Sequence, residues 1–377
     1  MKNLHIIHFV ESNNRHEWLE NLISLLDAEG FSQSLVSIEP QGAISSYLSN
    51  NFPHIHVKKV RKYRLNIFTG VIEVIQSRKK NSINIVFALG HPAAVITGIT
   101  SCFVSIDFVF SHMQQPRYFE LMKPKWKGTI HTELYRFYLH RADLIHSLSQ
   151  EVKDNLVKYG INQKKVLSIN IGVNFDKIHR ELIDKKVYFT LPEGSPKILM
   201  VGRLAPEKNY ETALRVFATF LESRPRAILL IAGEGPMKQR LKSLAEHLLV
   251  SHNVHFLGYI GNIPSLMAKV DMLLHLATTE SYGQIYIEAV LSGLPVVCTP
   301  TGGSINLMRE KNANVFVLKN DSENEISESL DFCLTNFKYP SFEKSAQFSL
   351  YYEHDEKFVH KQIADSFLTL SAKTYEN

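Results

Sequence analysis

Two glutamates, Glu280 and Glu288, stand in the stretch ESYGQIYIE with Tyr282 and Gly283 between them. Paired carboxylates can do two kinds of chemistry. At a reacting glycosidic bond they share the work of acid and of nucleophile or base; at a binding site each offers two oxygens to the hydroxyls of a sugar or a ribose. Either glutamate alone also reads as a helix-start charge or a surface residue. Upstream, Arg203 ends the run ILMVGR, and Lys208 follows in LAPEKNY just before a helical pattern. Two cations at a strand end can bind a diphosphate, helped by the partial positive charge of nearby helix amino termini. Surface ion pairs with Glu207 or Glu211 are the other reading of the same residues.

Glycine turns recur at the neighbouring strand ends. IAGEGPMKQRL sets Gly233, Gly235 and Pro236 between strand and helix, and FLGYI sets Gly258 and Tyr259 after the next strand. A lone Gly-x-Gly without a third glycine is no dinucleotide fingerprint. It reads as a tight turn that lets backbone approach a ligand.

The elements that position these residues follow from hydrophobic periodicity. ILMVGR, AILLIAG, VHFLG, DMLLHLA, PVVCTP and VFVLKN are six strand-length apolar runs, each followed by a helical pattern. The first half alternates in the same way: LHIIHFV, a helix with Trp18, Leu19, Leu22, Ile23 and Leu26 at helical spacing, SQSLVSI, a helix after Gly42, a strand near His56, a helix over 68–77, INIVFALG, the helix HPAAVITGIT, the strand CFVSIDFVFS ending at His112, and ADLIHS before a helix capped by Ser149. KVLSINIGV closes that half. Two such blocks predict two doubly wound parallel sheets facing a cleft, with ligands at the carboxyl ends of the strands. LPEGSP at 191–196 is the expected linker, giving a first domain 1–192, a second domain 193–355 and a helix over 356–377 that packs back on the first domain.

A chain of 377 residues, 45% hydrophobic and 21% charged, has the composition of a soluble two-domain protein. The three cysteines Cys102, Cys298 and Cys333 lie far apart and read as buried free thiols in a reducing compartment. Met1 to Val10 reads as a first strand rather than a signal peptide, and no window approaches the ~20 apolar residues that cross a bilayer. The expected location is the cytoplasm. Charge is uneven: residues 1–190 hold 24 Lys and Arg against 16 Asp and Glu, and the remainder 18 against 21. The basic runs KKVRKYR, RKK and KPKWK can hold anionic lipid head groups, placing the protein at the inner face of the plasma membrane, or form an ordinary solvated face. No recognised nucleic-acid motif accompanies them.

Taken in order, VGRLAPEKN, IAGEGPMKQRL, VHFLGYI, the E-x7-E stretch and LSGLPVVCTPTGG resemble the donor domain of family 4 retaining glycosyltransferases of the GT-B fold (glycosyl transferases group 1). RADLIHSLSQEVKDNL and KVLSINIGVN match that family in the first half. The family's glycine pair after the first strand is replaced by FVESNNRHEW, its Asn-Gly-Val-Asp reads Ile171-Gly172-Val173-Asn174, and the acid after Gly302-Gly303 reads Asn306. The resemblance implies an α/β GT-B fold with two Rossmann-like domains, and a catalytic set of Arg203, Lys208, His112 and Glu280. Arg203 and Lys208 would neutralise the donor diphosphate, Glu280 would hold the transferred sugar, and His112 would contact that sugar near the reacting carbon. Glu288 would bind the ribose, while Tyr282, Gly283, Gly233, Gly235, Gly258 and Tyr259 would complete the donor site. It implies a UDP- or GDP-sugar as donor substrate, a saccharide or lipid-linked acceptor in bacterial surface-polysaccharide or glycolipid synthesis, and no cofactor or metal. A nucleotide-sugar epimerase or hydrolase on the same fold, and a non-catalytic partner subunit, are the rival readings.

Overall fold

The computed structural model describes residues 4–10, 17–38, 43–60, 66–112, 124–184, 190–280, 282–301, 304, 314–336 and 354–376. The chain divides into two compact units, residues 1–171 with 356–377, and residues 172–355.

In the first unit, β1 (Leu4–Val10), β2 (Ser32–Ser37), β3 (His56–Lys59), β4 (Ile83–Leu89), β5 (Asp107–His112), β6 (Leu144–Ser147) and β7 (Val166–Ser168) form a parallel sheet in the order β3-β2-β1-β4-β5-β6-β7. β1 is buried along its whole length, as a central parallel strand covered on both faces must be. On one face α3 (Asn66–Ser77), α4 (His91–Thr100), α5 (Lys125–Arg141) and α6 (Gln150–Lys158) pack with Phe9, Val86, Phe108 and Phe110. On the other, α1 (Glu17–Ala28) buries Leu19, Leu22, Ile23 and Leu26, and α2 (Ala43–Asn51) buries Ile44 and Leu48. Ser149 Oγ accepts the Val152 N–H and caps α6.

The second unit holds α7 (Phe175–Asp184) and six parallel strands: β8 (Lys197–Val201), β9 (Ile228–Ala232), β10 (Val254–Gly258), β11 (Met272–His275), β12 (Val296–Cys298) and β13 (Val315–Val317), in the order β10-β9-β8-β11-β12-β13. Between them run α8 (Tyr210–Ser223), α9 (Lys238–His247), α10 (Ile263–Met267) and α11 (Gln284–Leu291), and α12 (Glu323–Asn336) follows β13. Leu214, Phe217 and Phe220 of α8 and Leu241 of α9 close one core on Leu229 and Ile231. Strand order reverses between β8 and β11, so the crevice of this sheet opens at their carboxyl ends.

Three expectations change. The unit boundary falls at Gly172, ahead of 191–196, because α7 packs on α10. Cys102 is exposed while Cys298 and Cys333 are buried: residues 101–104 continue past α4 as hydrogen-bonded turns, and β5 begins only at Asp107. β7 is likewise short, ending at Ser168. α13 (Glu356–Glu376) joins the first unit, where Val359, Ile363, Ala364 and Phe367 pack among the side chains that cover α1. No helix among the described residues is long and apolar enough to cross a membrane.

Candidate functional site

The loops after β8 and β11 meet where the second sheet reverses. The Thr278 N–H donates to the Glu207 carbonyl at 2.8 Å, tying the two loops together. That tie brings Lys208 Nζ to 2.6 Å from Glu280 Oε2, with both side chains about four-fifths buried. Behind them His275, the last residue of β11, is buried with its ring edge-on to Tyr286 at 5.0 Å. His275 Nε2 stands 3.5 Å from Glu280 Oε2 and has no closer hydrogen-bond partner. That spacing is long for a hydrogen bond, so the Lys208 contact carries the pair.

Burial on its own would raise the Glu280 pKa. The approach of His275 and the Lys208 ammonium outweigh it and hold the carboxyl at about 2. The carboxylate is therefore ionised throughout the physiological range, and burial keeps the His275 pKa below its ordinary value despite its acidic neighbour. Below this pair, hydroxyl groups link up: Tyr286 Oη to Thr301 Oγ1 at 3.2 Å, the Thr301 N–H to Ser304 Oγ at 2.8 Å, and Ser304 Oγ to the Thr299 carbonyl at 2.9 Å. The network fixes α11 against the loop after β12.

Arg203 lies on the outside of the β8 loop, paired with Glu207 at 3.0 Å across one helical-type turn. The guanidinium side chain is 63% exposed, and an exposed pair of this kind contributes roughly 0–1 kcal/mol.

Gly283 begins α11 in the left-handed region at φ 76°, and a Cβ there would come within 2.4 Å of the Tyr286 ring. Tyr282 is buried, with its hydroxyl 2.7 Å from His354 Nδ1, and the Gln284 side chain donates to the Gly172 carbonyl at 3.1 Å. The Val173 N–H in turn donates to the His354 carbonyl at 2.7 Å, and Val173 bridges Asp355. The loop 282–284 is thus fastened to both segments where the chain enters and leaves the second unit.

Glu288, one turn further along α11, is half-buried by exposed area yet densely surrounded by protein. Burial, then the like charge of Glu181 on α7, push its pKa up to about 7, with Lys177 pulling the other way. Gly233 and Gly235 answer to the chain's own backbone. A Cβ on Gly233 would stand 1.9 Å from the Gly202 carbonyl oxygen, and one on Gly235 2.5 Å from that of Leu204. Their need for glycine is met without a ligand. Gly258 closes the row, its carbonyl accepting the Gly233 N–H at 2.7 Å, and Tyr259 beside it is 83% exposed.

Arg203, Lys208, Gly233, Gly235, Gly258, Tyr259, Glu280, Tyr282, Gly283 and Glu288 therefore all line the carboxyl edge of the second sheet or the start of α11. His112 is the last residue of β5 in the first unit, its backbone paired with Ser147; its side chain, Gly302, Gly303, Asn306 and the loop over 11–16 lie outside the described residues. Sequence reasoning missed His275, Tyr286, His354 and Glu181. A histidine interrupting the apolar run DMLLHLA was the one available signal. It also missed His91, which follows β4 where the first sheet reverses, with Nδ1 3.1 Å from Tyr138 Oη and Nε2 3.0 Å from His131 Nδ1. Among the described residues no three His, Cys, Asp or Glu side chains gather to hold a metal ion.

The sequence of residues 183–351 matches the model of the family described as glycosyl transferases group 1. Over 188 residues the chain is 29% identical to alpha-monoglucosyldiacylglycerol synthase of Streptococcus pneumoniae, covering 47% of this chain and 42% of that protein. Over 146 residues it is 31% identical to the lipopolysaccharide glucosyltransferase WaaG of Escherichia coli, covering 38% and 39%. The chain thus spans about two-fifths of the length of these relatives. Among solved structures, HepE of Anabaena in complex with UDP superposes with a TM-score of 0.76 at 18% identity, over 97% of this chain and all of that one. The chain has the GT-B fold, and its match to the glycosyl transferases group 1 model is confined to residues 183–351.

Proposed function

We propose that the protein is a retaining glycosyltransferase that moves a sugar from a nucleotide diphosphate-sugar to an acceptor in bacterial surface-polysaccharide or glycolipid synthesis. The observation that carries the reading is the Lys208–Glu280 pair, buried beside His275 where the second sheet reverses. A cation for phosphate and an ionised carboxylate for sugar hydroxyls stand side by side there.

The hard step is departure of the nucleoside diphosphate, which leaves negative charge on phosphate and positive character on the sugar ring. Arg203 exchanges Glu207 for the diphosphate, and Lys208 meets the same charge from inside the crevice. Preorganised cations of this kind act where charge develops, and loss of one costs on the order of 3 kcal/mol, or ~100-fold in rate. Glu280 accepts hydroxyls of the transferred sugar, and Glu288 in its ionised form accepts the two ribose hydroxyls. The amino terminus of α11, opened by Gly283, faces phosphate with its free N–H groups. His112 contacts the donor sugar, a role taken from the family resemblance.

A uridine nucleotide is the first donor to try, because a solved structure of the same fold holds UDP. The acceptor is a saccharide or a lipid-linked molecule at an anionic membrane surface; the basic excess of residues 1–190 and the lipid-directed names of two relatives support this. A melting-temperature screen against UDP-, GDP- and ADP-sugars tests the donor, since ligands of the native state stabilise it. One class should raise the transition. If none does, the reading fails.

A further inference from the structure

Large apolar side chains exposed on a helix call for an explanation when they gather. α3 and α5 both pack on α4 at glycines: the Gly70 backbone lies against Ile96, and Gly98 lies against Tyr138 and Phe137. Each Cα carries no side chain at that crossing, so the three helices lie close in one layer with α4 in the middle. All three follow parallel strands, so their amino-terminal turns share the carboxyl edge of the first sheet. At that edge the described part of α3 exposes Ile67, Phe68 and Ile72, and α5 exposes Trp126 and Ile130. Phe68 is 68% and Trp126 61% exposed. Lys125 and Lys127, also exposed, flank Trp126, with Lys127 Nζ 5.6 Å from the indole centroid.

Among the described residues these side chains join neither core cluster of the first unit. The buried sides of the two helices are satisfied by Val74 of α3 and by Tyr135, Tyr138 and Leu139 of α5. The outward residues combine rings and branched aliphatics with ammonium groups, the composition that settles at the boundary of head groups and acyl chains. Indole sits at that boundary with its apolar body inward, and lysine stems reach back to phosphate. The charge also has the right sign, because the basic excess of the chain is confined to residues 1–190. The exposed large apolar residues of the second unit, Ile183, Leu249, Tyr259 and Phe332, sit singly on different elements, as ordinary surface residues do.

We propose that the amino-terminal turns of α3 and α5 form a docking surface for an anionic lipid bilayer, with Phe68, Trp126 and Ile130 entering the interface and Lys125 and Lys127 meeting lipid phosphate. The proposal rests on the membrane-acceptor reading above and gives that surface its residues.

The test is co-sedimentation of the full chain with vesicles of phosphatidylglycerol and phosphatidylcholine, against vesicles of phosphatidylcholine alone. The parent should bind the anionic vesicles, with Lys125→Glu/Lys127→Glu weakening binding at least about tenfold. Phe68→Ser and Trp126→Ser/Ile130→Ser should weaken it by a similar factor even at high salt, where electrostatic adsorption is screened. Donor binding by calorimetry should be unchanged in all three, because the proposed donor residues of the second unit are untouched. Loss of donor binding in the parent would sink the glycosyltransferase reading and leave the docking result standing. Three results overturn the docking proposal: no parent binding to anionic vesicles at low salt, apolar variants that bind as the parent does, or a parent dimer that Trp126→Ser/Ile130→Ser converts to monomer, which would make a second copy the occupant.

Discussion

Lys208 Nζ and Glu280 Oε2 are 2.6 Å apart in surroundings that leave only a fifth of either side chain exposed. Each charge is thus compensated before a donor arrives, and removal of one strands the other. Lys208→Ala should lower the unfolding free energy by about 3 kcal/mol, the lower end for a broken buried pair. The double variant Lys208→Ala/Glu280→Ala should recover part of that stability and none of the donor affinity. Urea titration and calorimetry on the same samples separate the two effects; unchanged donor affinity in both variants removes the pair from the site.

His275 is, beside Lys208, the other neighbour that favours the Glu280 charge. With its ring replaced in His275→Phe, the Glu280 carboxyl loses a neighbour that favours its charge, and its pKa should rise from about 2 toward the ordinary value of 4.5. Carbon-detected NMR of the glutamate carboxyls follows this directly. A Glu280 titration that stays put would show Lys208 acting alone.

Glu288 titrates near 7 because burial and Glu181 both oppose its charge. If donor ribose is held by the carboxylate, affinity should rise about tenfold between pH 6 and pH 8, as the ionised fraction grows by that factor. Glu288→Gln should flatten the dependence, and Glu181→Ala should move its midpoint down. The stability sign is the reverse: the unfolded carboxyl ionises near 4.5, so between 4.5 and 7 the folded state holds the extra proton and stability falls as pH rises.

The first unit carries histidines that burial keeps neutral. His8 and His360 are depressed to about 4 and His146 to about 3, against 6.5 when unfolded. Between those limits the unfolded chain binds more protons, so stability is complete above 6.5 and declines as pH falls toward 4. Each histidine contributes at most about 1.4 kcal/mol per pH unit across that window. Amide exchange at pH 7 and pH 5 should show the first sheet losing protection well before the second.

Much of the fold and of the candidate site is legible in the sequence. Parallel strands buried on both faces announce themselves as apolar runs, and the glycines at their ends mark where the backbone turns; Arg203, Lys208, Glu280 and Glu288 fall at those ends for the same reason. What stays hidden depends on distance along the chain. Tyr282 meets His354 across 72 residues, and nothing local in either segment announces the other. Glu181 raises the Glu288 pKa only because α7 folds with the second unit, which the proline and glycine content of 191–196 does not disclose. Glycine also serves contacts that no local pattern announces: Gly233 and Gly235 lie against the backbone of Gly202 and Leu204.

The pairing of Val173 with His354 and Asp355 bears on the order in which the chain can fold as it is synthesised. The second unit is one continuous segment, Gly172 to Asp355, while the first needs Val359, Ile363 and Phe367 to complete the face over α1. The unit made first is therefore finished last. Until α13 emerges, one apolar face of the nascent first sheet is only partly covered, by α1 and α2, whereas the second unit can close as soon as its own two ends meet.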